Sequence, residues 1–223
     1  MCTEALAANA PVKVLCATNL WLSQHGAPPT GTEVYEVDSA SLERLSGLRT
    51  PNEVWMLVDR AAVRKALPAA GDRSPVLALD RLQDPGNLGT ILRTADWFGV
   101  RHVECSPDTV SCFNPKVVQA SMGSLLRTSV CYVPLAEWLQ DCDREVYGAL
   151  LDGESIWESE NAGMRASWRN GAVLVIGNES AGISPEVQAQ VTHRVAIPNM
   201  GGTAESLNAS VACAILLAEM MRP

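Results

Sequence analysis

The sequence lacks an uninterrupted run of 18 apolar residues, so no segment is long enough to cross a bilayer as a helix. It also lacks a basic segment followed by an apolar stretch near residue 1, so the pattern does not predict a secretory signal. Aromatic residues are few, at 5%, but 47% of the 223 residues are hydrophobic, which is enough for a globular chain to bury a core. These absences favour the cytoplasm, or an organelle, over a membrane.

Metal-binding and disulfide patterns are also missing. The seven cysteines are odd in number and form no Cys-x-x-Cys pair, and the three histidines are scattered with no His-Glu-x-x-His. The sequence therefore predicts reduced thiols in a reducing compartment, without a disulfide framework and without a metal site.

Positive charge is scarce. There are 17 Lys and Arg residues against 25 Asp and Glu residues, which gives a net charge of −8. Nucleic-acid-binding proteins usually carry a surplus of basic residues, so this balance argues against non-specific affinity for RNA or DNA. The balance is compatible with a local basic patch, or with a dimer that gathers its arginines in one groove.

Hydrophobic periodicity predicts an α/β protein of two parts that meet near Pro68–Pro75. The expected domains are 1–71 and 72–223. In the first, alternating strands and helices are expected at Val12–Cys16, Asn19–Gln24, Glu33–Val37, Ser39–Leu45, Glu53–Val58 and Ala61–Leu67.

The second part repeats the alternation on a larger scale. Strands are expected at Val76–Asp80, His102–Cys105, Val146–Leu151, Ala172–Ile176 and Arg194–Ile197, and helices at 85–98, 115–122, 184–190 and 205–221. Residues 152–170 are expected to form a polar surface connection. Helices between strands predict a mostly parallel sheet with both faces covered.

Ligands in such sheets bind beyond the carboxyl ends of the strands, where three unusual loops are expected. The first is "LDRLQDPGNLGTILRTADWFGV", in which Asp84 and Pro85 are typical of a helix start. Arg93 is predicted to point away from the core, and Gly89 one turn earlier is expected to leave room for the guanidinium. The apolar stripe of this helix consists of Leu88, Ile91, Leu92, Ala95 and Phe98.

The other two loops are "VLVIGNESAGISPEV" and "RVAIPNMGGTAESLNASVACAILLAEMM". Neither matches a phosphate-binding loop, since the chain has no GxxxxGK[ST] and no GxGxxG after its first strand. A hydrolase triad is disfavoured, because Ser206 is not in a GxSxG elbow. Taken one at a time, the glycines and the Glu205-Ser206 pair are explained by turns and helix capping.

Together the three loops resemble the SpoU, or TrmH-type, methyltransferases of the SPOUT class. The first motif, Asn-x-Gly-x-x-x-Arg-x-Ala, is met by Asn87, Gly89, Arg93 and Ala95. The second motif, Gly-Asn-Glu-x-x-Gly, is met by Gly177, Asn178, Glu179 and Gly182. The third motif is Ile-Pro followed by Ser-Leu-Asn-x-Ser-x-Ala. It is met by Ile197, Pro198, Ser206, Leu207, Asn208, Ser210 and Ala212. The likeness covers about residues 75–221.

The resemblance implies a C-terminal trefoil knot, a homodimer, and S-adenosylmethionine-dependent methylation of a ribose 2′-hydroxyl in structured RNA, with ribosomal RNA favoured. It implies a catalytic role for Asn87, Arg93, Glu179, Ser206 and Asn208. It implies that the cofactor contacts Gly153, Gly177, Asn178, Ile197, Met200 and Leu207. Since an arginine is a poor base, we expect Arg93 to grip a phosphate and stabilise the developing alkoxide. Glu179 and Asn208 are expected to orient Arg93 and the substrate, and Gly177 to admit the cofactor closely.

Residues 1–71 resemble the later part of the ribosomal-protein-like RNA-binding domain that often precedes this catalytic domain. The family's usual basic helix and first strand are missing, so the domain is expected to be partial. The chain also departs from the family at Asn199, which is inserted after Pro198, and at Gln119, where an arginine is common. Two alternatives remain: methylation of transfer RNA, and a non-catalytic RNA-binding or assembly factor.

Overall fold

The structure, a computed structural model, describes residues 2–26, 28–46, 50, 52–63, 67–69, 71–157 and 162–222. Contacts within the chain divide it into two compact units, Met1–Val63 and Arg64–Pro223. Within the described ranges, no helix is long and apolar enough to cross a membrane. All seven cysteines are free thiols.

The first unit is a three-stranded sheet with short helices. Its elements are α1 Cys2–Ala7, β1 Val12–Ala17, α2 Asn19–His25, β2 Glu33–Glu36, α3 Ser39–Leu45 and β3 Val54–Val58. The strand order is β2-β1-β3, with β1 parallel to β2 and antiparallel to β3. The helix expected at Ala61–Leu67 is instead a short 3-10 turn, Arg60–Ala62, that ends at Val63, and residues 64–66 lie outside the described part.

The second unit is built on a six-stranded sheet. Its elements are β4 Val76–Leu79, α4 Pro85–Trp97, β5 His102–Cys105, α5 Pro115–Ser121, β6 Ser129–Tyr132, α6 Leu135–Asp141, β7 Val146–Ser155, α7 Ala162–Arg169, β8 Val173–Ile176, α8 Pro185–Gln188, β9 His193–Ala196 and α9 Ala209–Met220. The order is β6-β5-β4-β8-β7-β9 and every pair is parallel. The prediction of a mostly parallel sheet is confirmed.

Helices cover both faces of this sheet. Residues of α4, α5, α7 and α9 share one apolar cluster with the strands, and residues of α6 and α8 share the other. All four residues of β4 and of β8 are buried, as expected for central parallel strands packed on both faces. These continuous apolar runs are the reason that the sequence pattern identified both strands.

Three elements of the second unit were not predicted. The edge strand β6 has only four residues, and α6 and α7 are short helices with two buried anchors each, Leu135 with Leu139 and Met164 with Trp168. One i, i+4 pair is too little periodicity to identify a helix. The connection expected over 152–170 is therefore wrong in part, because it contains α7 and the end of β7.

The start of α4 follows the sequence expectation. The Asp84 side chain caps the helix by accepting a hydrogen bond from the Asn87 N–H at 2.7 Å, and Pro85 occupies the first turn. Leu88, Ile91, Leu92 and Ala95 are buried and Phe98 is partly buried, which confirms the predicted stripe. This cap fixes the position of Asn87 at the carboxyl end of β4.

Glu104 is fully buried on β5, where its sheet neighbours are Ala78 and Cys131. Among the residues described, neither of its carboxylate oxygens has a hydrogen-bond partner. Burial raises the pKa of Glu104 from its usual 4.5 to about 8, although the positive charge of Arg144 opposes the shift. At neutral pH the folded protein therefore holds a proton that the unfolded chain releases.

Changing Glu104→Gln is expected to remove a pH dependence of stability. In the wild type, the free energy of unfolding should fall as the pH rises from 4.5 to about 8, since only the unfolded chain ionises Glu104 in that window. From about pH 5.5 to about pH 7 this loss is about 2 kcal/mol, at about 1.36 kcal/mol per pH unit. Urea unfolding at both pH values measures it, with Glu137→Gln on the exposed surface of α6 as control. An unchanged slope in Glu104→Gln would contradict this assignment.

Candidate active site

Three loops meet at one edge of the six-stranded sheet. They follow β4, β8 and β9, and the carboxyl ends of parallel strands lie along the same edge. The first loop leads into α4, the second spans 177–184, and the third spans 197–208 and leads into α9.

Asn87 is the point at which the three loops are joined. Its Nδ2 donates a hydrogen bond to Glu179 Oε1 at 2.7 Å, and its Oδ1 accepts one from Asn208 Nδ2 at 2.9 Å. Only 9% of Asn87 is exposed. We call Asn87, Glu179 and Asn208 the polar hub.

The two outer residues of the polar hub, Glu179 and Asn208, determine which atom donates in each of its hydrogen bonds. The Glu179 carboxylate can only accept, so the amide nitrogen of Asn87 must face it. Asn208 Oδ1 accepts from the N–H groups of Ser210 at 3.0 Å and Val211 at 3.3 Å, so the Asn208 nitrogen must face Asn87. These hydrogen bonds thus connect the Glu179 carboxylate to the N-terminus of α9, where the helix dipole favours negative charge.

Asn208 also corrects the predicted start of the last helix. As the N-cap it begins α9 at Ala209, so Glu205, Ser206 and Leu207 belong to the preceding loop and not to the helix expected from 205. Ser206 is exposed and, within the described residues, forms no hydrogen bond. The polar hub therefore does not include Ser206.

Gly177 and Asn178 build the second loop. The N–H and C=O groups of Asn178 pair with those of Gly182, both at 3.0 Å, and the Asn178 Nδ2 donates to Arg81 C=O at 2.8 Å. A Cβ on Gly177 would lie 2.6 Å from Gly182 O. The loop itself therefore requires a glycine at position 177, and the expected backbone contact of Gly177 with a cofactor stays a prediction.

Two residues that sequence analysis missed support this edge. Asp80 is 2% exposed and its Oδ2 accepts from the Ser184 N–H at 2.6 Å, which closes the second loop. Arg81 adopts a left-handed φ of 54°, and its N–H donates to Ser106 Oγ at 2.8 Å. The sequence indicates such a role only through their position, directly after an apolar strand and at the edge of the sheet where ligands bind.

Asn199, the inserted residue, organises the third loop. Its Oδ1 accepts from the N–H groups of Gly201 at 3.0 Å and Gly202 at 2.8 Å, and its Nδ2 donates to the C=O groups of Gly202 and Ala204, both at 3.1 Å. Four hydrogen bonds from one side chain give the segment a defined shape. The departure from the family pattern therefore has a structural role.

Gly89 does not leave open space beside Arg93, contrary to expectation. It is buried where α5 crosses α4, and a Cβ there would lie 2.5 Å from Ala120 Cβ and 2.9 Å from Val117 O. The glycine lets the two helices approach closely, as backbone contact at a crossing requires. Gln119, on α5, is exposed.

Arg93 is exposed, as predicted, and it is not part of the polar hub. Among the residues that the structure describes, its side chain forms no hydrogen bond and no ion pair. From Asn87 it lies about 9 Å further along the axis of α4 and about 120° around it. Within one chain, Glu179 and Asn208 therefore orient Asn87, and their expected contact with Arg93 stays a prediction.

Three of the remaining expected cofactor residues, Ile197, Met200 and Leu207, lie in the third loop at the same edge. Within the described chain, the backbone N–H and C=O groups of Ile197, Met200 and Leu207 are unpaired. Met200 is 83% exposed and Leu207 46% exposed, so apolar side chains accompany these free polar groups. Gly153 is different: a Cβ there would lie 2.6 Å from the backbone of Val195, so the glycine allows β7 to approach β9.

A cavity of about 580 Å³ lies beside β7, β9 and α7. It is lined by Gly153, Met164 and the stacked rings of Tyr147 and His193, and its lining includes no residue of the polar hub. Over the described ranges, no three His, Cys, Asp or Glu side chains come together as a metal site.

Known proteins resemble this chain over most of its length. The SpoU rRNA Methylase family matches residues 74–218. The 23S rRNA (guanosine(2553)-2′-O)-methyltransferase RlmP of Bacillus subtilis is 30% identical over 195 residues, which are 84% of this chain and 72% of the relative. RlmB of Coxiella burnetii, a 23S rRNA (guanosine-2′-O-)-methyltransferase, is 31% identical over 84% of this chain and 74% of its own length.

Solved structures agree. A protein of Porphyromonas gingivalis ascribed to the TrmH family of RNA methyltransferases is 38% identical, with a TM-score of 0.84 over 98% of this chain and 85% of its own. The AdoMet-bound rRNA methyltransferase of Sinorhizobium meliloti is 27% identical, with a TM-score of 0.80 over 99% and 84%. The chain spans between about half and three quarters of the length of the first curated relatives. It covers 72% of RlmP and 52% of an uncharacterized tRNA/rRNA methyltransferase of Synechocystis.

Proposed function

The chain belongs to the SpoU rRNA methylase family, and from that premise we propose that it methylates a ribose 2′-hydroxyl of structured RNA with S-adenosylmethionine as donor. The observation that carries the proposal is the polar hub, because one residue from each of the three motifs meets there. Ribosomal RNA is the favoured substrate, since RlmP and RlmB act on 23S rRNA by name. The cytoplasm, where bacterial ribosomal RNA is found, is the proposed location, with an organelle as the alternative.

The loop edge fits S-adenosylmethionine. Ile197, Met200 and Leu207 offer unpaired backbone groups that can bond the edge of a nucleobase, and their apolar side chains can flank its faces. When bound, the cofactor supplies a methyl group made electrophilic by its sulfonium. Asn178 and Asn199 hold the two loops that carry these contacts.

The chain's own part in the reaction is to position and stabilise an oxygen nucleophile. The polar hub holds the Asn87 amide in one orientation and leaves its second N–H available for a substrate oxygen. Arg93, whose guanidinium has no partner among the described residues, can bind a phosphate through two parallel hydrogen bonds and stabilise the alkoxide that forms beside it. Ser206, exposed in the third loop, is available to the substrate.

The separation of Arg93 from the polar hub supports a site completed by a second copy. Within one chain the two lie on different sides of α4. We infer a homodimer in which Arg93 of one protomer serves the polar hub of its partner.

The surface of α9 supports the homodimer. One face of the helix, with Cys213, Leu216, Leu217 and Met220, is buried in the core. On the other side Val211 is 46% exposed, Ala218 is also exposed, and Ile215 lies partly exposed between them. An apolar stripe at helical spacing without cover is what a two-fold contact would bury. The trefoil knot implied by the family stays a prediction.

We propose that the first part of the chain, for which sequence analysis set the limit 1–71, is a partial RNA substrate-binding domain. Its support is the family resemblance and the compact α/β unit at Met1–Val63. Two alternatives are weaker. Transfer RNA is supported by relatives with tRNA/rRNA names. A non-catalytic factor would have little need of an intact polar hub.

Cofactor binding tests the proposal directly. Calorimetry with S-adenosylmethionine or its demethylated product should give a one-site isotherm, whereas ATP and NAD should give no heat, because the chain lacks their phosphate loops. In Asn199→Ala, affinity should fall about tenfold, since the third loop loses the four side-chain hydrogen bonds that shape it.

The exposed Asn170 provides the matched control, because Asn170→Ala removes the same side chain far along the chain from this loop. It should bind the cofactor as the wild type does. If the wild-type chain gave no heat with either sulfur ligand at concentrations well above micromolar, the proposed function would be wrong.

A further inference from the structure

Trp97, at the end of α4, is the most exposed large hydrophobic residue that the described chain contains, at 85%. The burial of a tryptophan normally removes about 150–250 Å² of surface from water. By contrast, Trp21 and Trp168 are almost completely buried. A tryptophan left in solvent at a helix end therefore points to a ligand or partner.

The face around Trp97 is polar and positive. Thr90, Arg93 and Trp97 are exposed and lie within about 60° of one another around α4. Arg101 is also exposed and follows Trp97 by four residues, which places it within about 14 Å. Neither arginine forms a side-chain hydrogen bond or ion pair with any described residue.

The nearest carboxylate in the sequence does not offset this charge. Asp96 Oδ2 accepts hydrogen bonds from Arg127 Nε at 2.8 Å and Nη2 at 2.6 Å, and a third from Ser124 Oγ at 2.8 Å. In a chain with a net charge of −8, an exposed tryptophan with an unpaired arginine four residues before it and another four residues after it is a local exception. We call Arg93, Trp97 and Arg101 the aromatic–arginine patch.

We propose that the aromatic–arginine patch is a stacking platform on which Trp97 receives an unpaired base of the RNA substrate, with the two arginines on the adjoining phosphates. Recognition of single-stranded RNA uses this combination of aromatic faces and guanidinium groups. The ring sits on a firm support, because Phe98 packs against the core and Val100 is buried. The inference rests on the proposed function, since it assigns the ligand to the same RNA.

A second copy of the chain is the competing occupant, and the surroundings favour RNA. Interfaces between copies are most apolar at their centre, whereas the neighbours of Trp97 on its helix face are threonine and arginine. The apolar stripe that suits a two-fold contact is on α9, at Val211, Ile215 and Ala218. The test distinguishes the two occupants.

The test measures binding of a single-stranded oligoadenylate to the full chain without cofactor, because stacking tolerates any base. Trp97→Ala should bind it about tenfold more weakly than the wild type, and Trp97→Phe, which keeps an aromatic face, should stay within about threefold. Trp157→Ala, which removes a half-exposed tryptophan elsewhere, should bind normally. The oligonucleotide should quench tryptophan emission in the wild type and much less in Trp97→Phe.

In methylation of cellular RNA, Trp97→Ala should raise KM for RNA and leave kcat and cofactor affinity near wild type. Wild-type affinity in Trp97→Ala, or no binding of oligoadenylate by the wild type, would overturn the platform. A loss of affinity accompanied by a change of mass in light scattering would also overturn it and assign Trp97 to a contact between copies. Failure of the chain to bind S-adenosylmethionine would defeat the proposed function alone, because the oligoadenylate assay contains no cofactor.

Discussion

Arg93→Ala is expected to reduce the methylation rate more than about a hundredfold while the affinity for S-adenosylmethionine stays near wild type. Removing one preorganised charged donor costs about 3 kcal/mol of transition-state stabilisation. The structure gives Arg93 no described partner, so its loss should leave the fold intact. The measurement is transfer of labelled methyl groups to total RNA from cells that lack the gene, alongside calorimetry of the cofactor.

Two further variants at this helix sharpen the result. Arg93→Lys should recover little activity, because an ammonium cannot reproduce the planar two-point contact of a guanidinium. Thr90→Ala, at an exposed position one turn earlier, should methylate at the wild-type rate. Near wild-type incorporation by Arg93→Ala would show that the arginine is only a solvated helix residue.

Asn87→Asp is expected to lower the methylation rate by a similar factor, but for a different physical reason. The new carboxylate would face that of Glu179, which now accepts from Asn87 Nδ2 at 2.7 Å, so a hydrogen bond becomes a repulsion between like charges. The three loops would then lose their shared contact. The rate should fall more than about a hundredfold, and the free energy of unfolding by about 2 kcal/mol.

The chain contains a matched control for this substitution. Asn19 Nδ2 donates to Glu36 Oε2 at 3.1 Å on an exposed surface of the first unit. Asn19→Asp creates the same pair of carboxylates in water, where it should cost at most about 0.5 kcal/mol of stability. Equal stability losses in the two variants would contradict a special role for the polar hub.

The two inactive variants together test the composite site. If Arg93 serves the partner's polar hub, a heterodimer of Arg93→Ala and Asn87→Asp contains one site with both wild-type residues. Random mixing should then restore about a quarter of the wild-type activity. No recovery, in a mixture that light scattering shows to be dimeric, would place both residues in the same chain's site.

Elements with strong local patterns could be predicted from the sequence. Central strands such as Val173–Ile176 are continuous apolar runs, and α4 begins where Asp84 and Pro85 provide a cap and a first turn. Elements with weak patterns could not. The edge strand Ser129–Tyr132 and the helices Leu135–Asp141 and Ala162–Arg169 have too few apolar positions to show a period.

The sequence by itself determined which three loops are the candidates for the active site, because the three motifs are local and each stands at the end of a strand. Only the tertiary structure decided which side chains contact one another. Asn87 forms hydrogen bonds with Glu179 and Asn208, which are 92 and 121 residues away in the sequence. Gly89 lies where α5 crosses α4, and it does not leave open space beside Arg93. The physical reason is that caps and turns are satisfied by neighbours in sequence, whereas side-chain hydrogen bonds and close packing depend on distances that only the folded sheet sets.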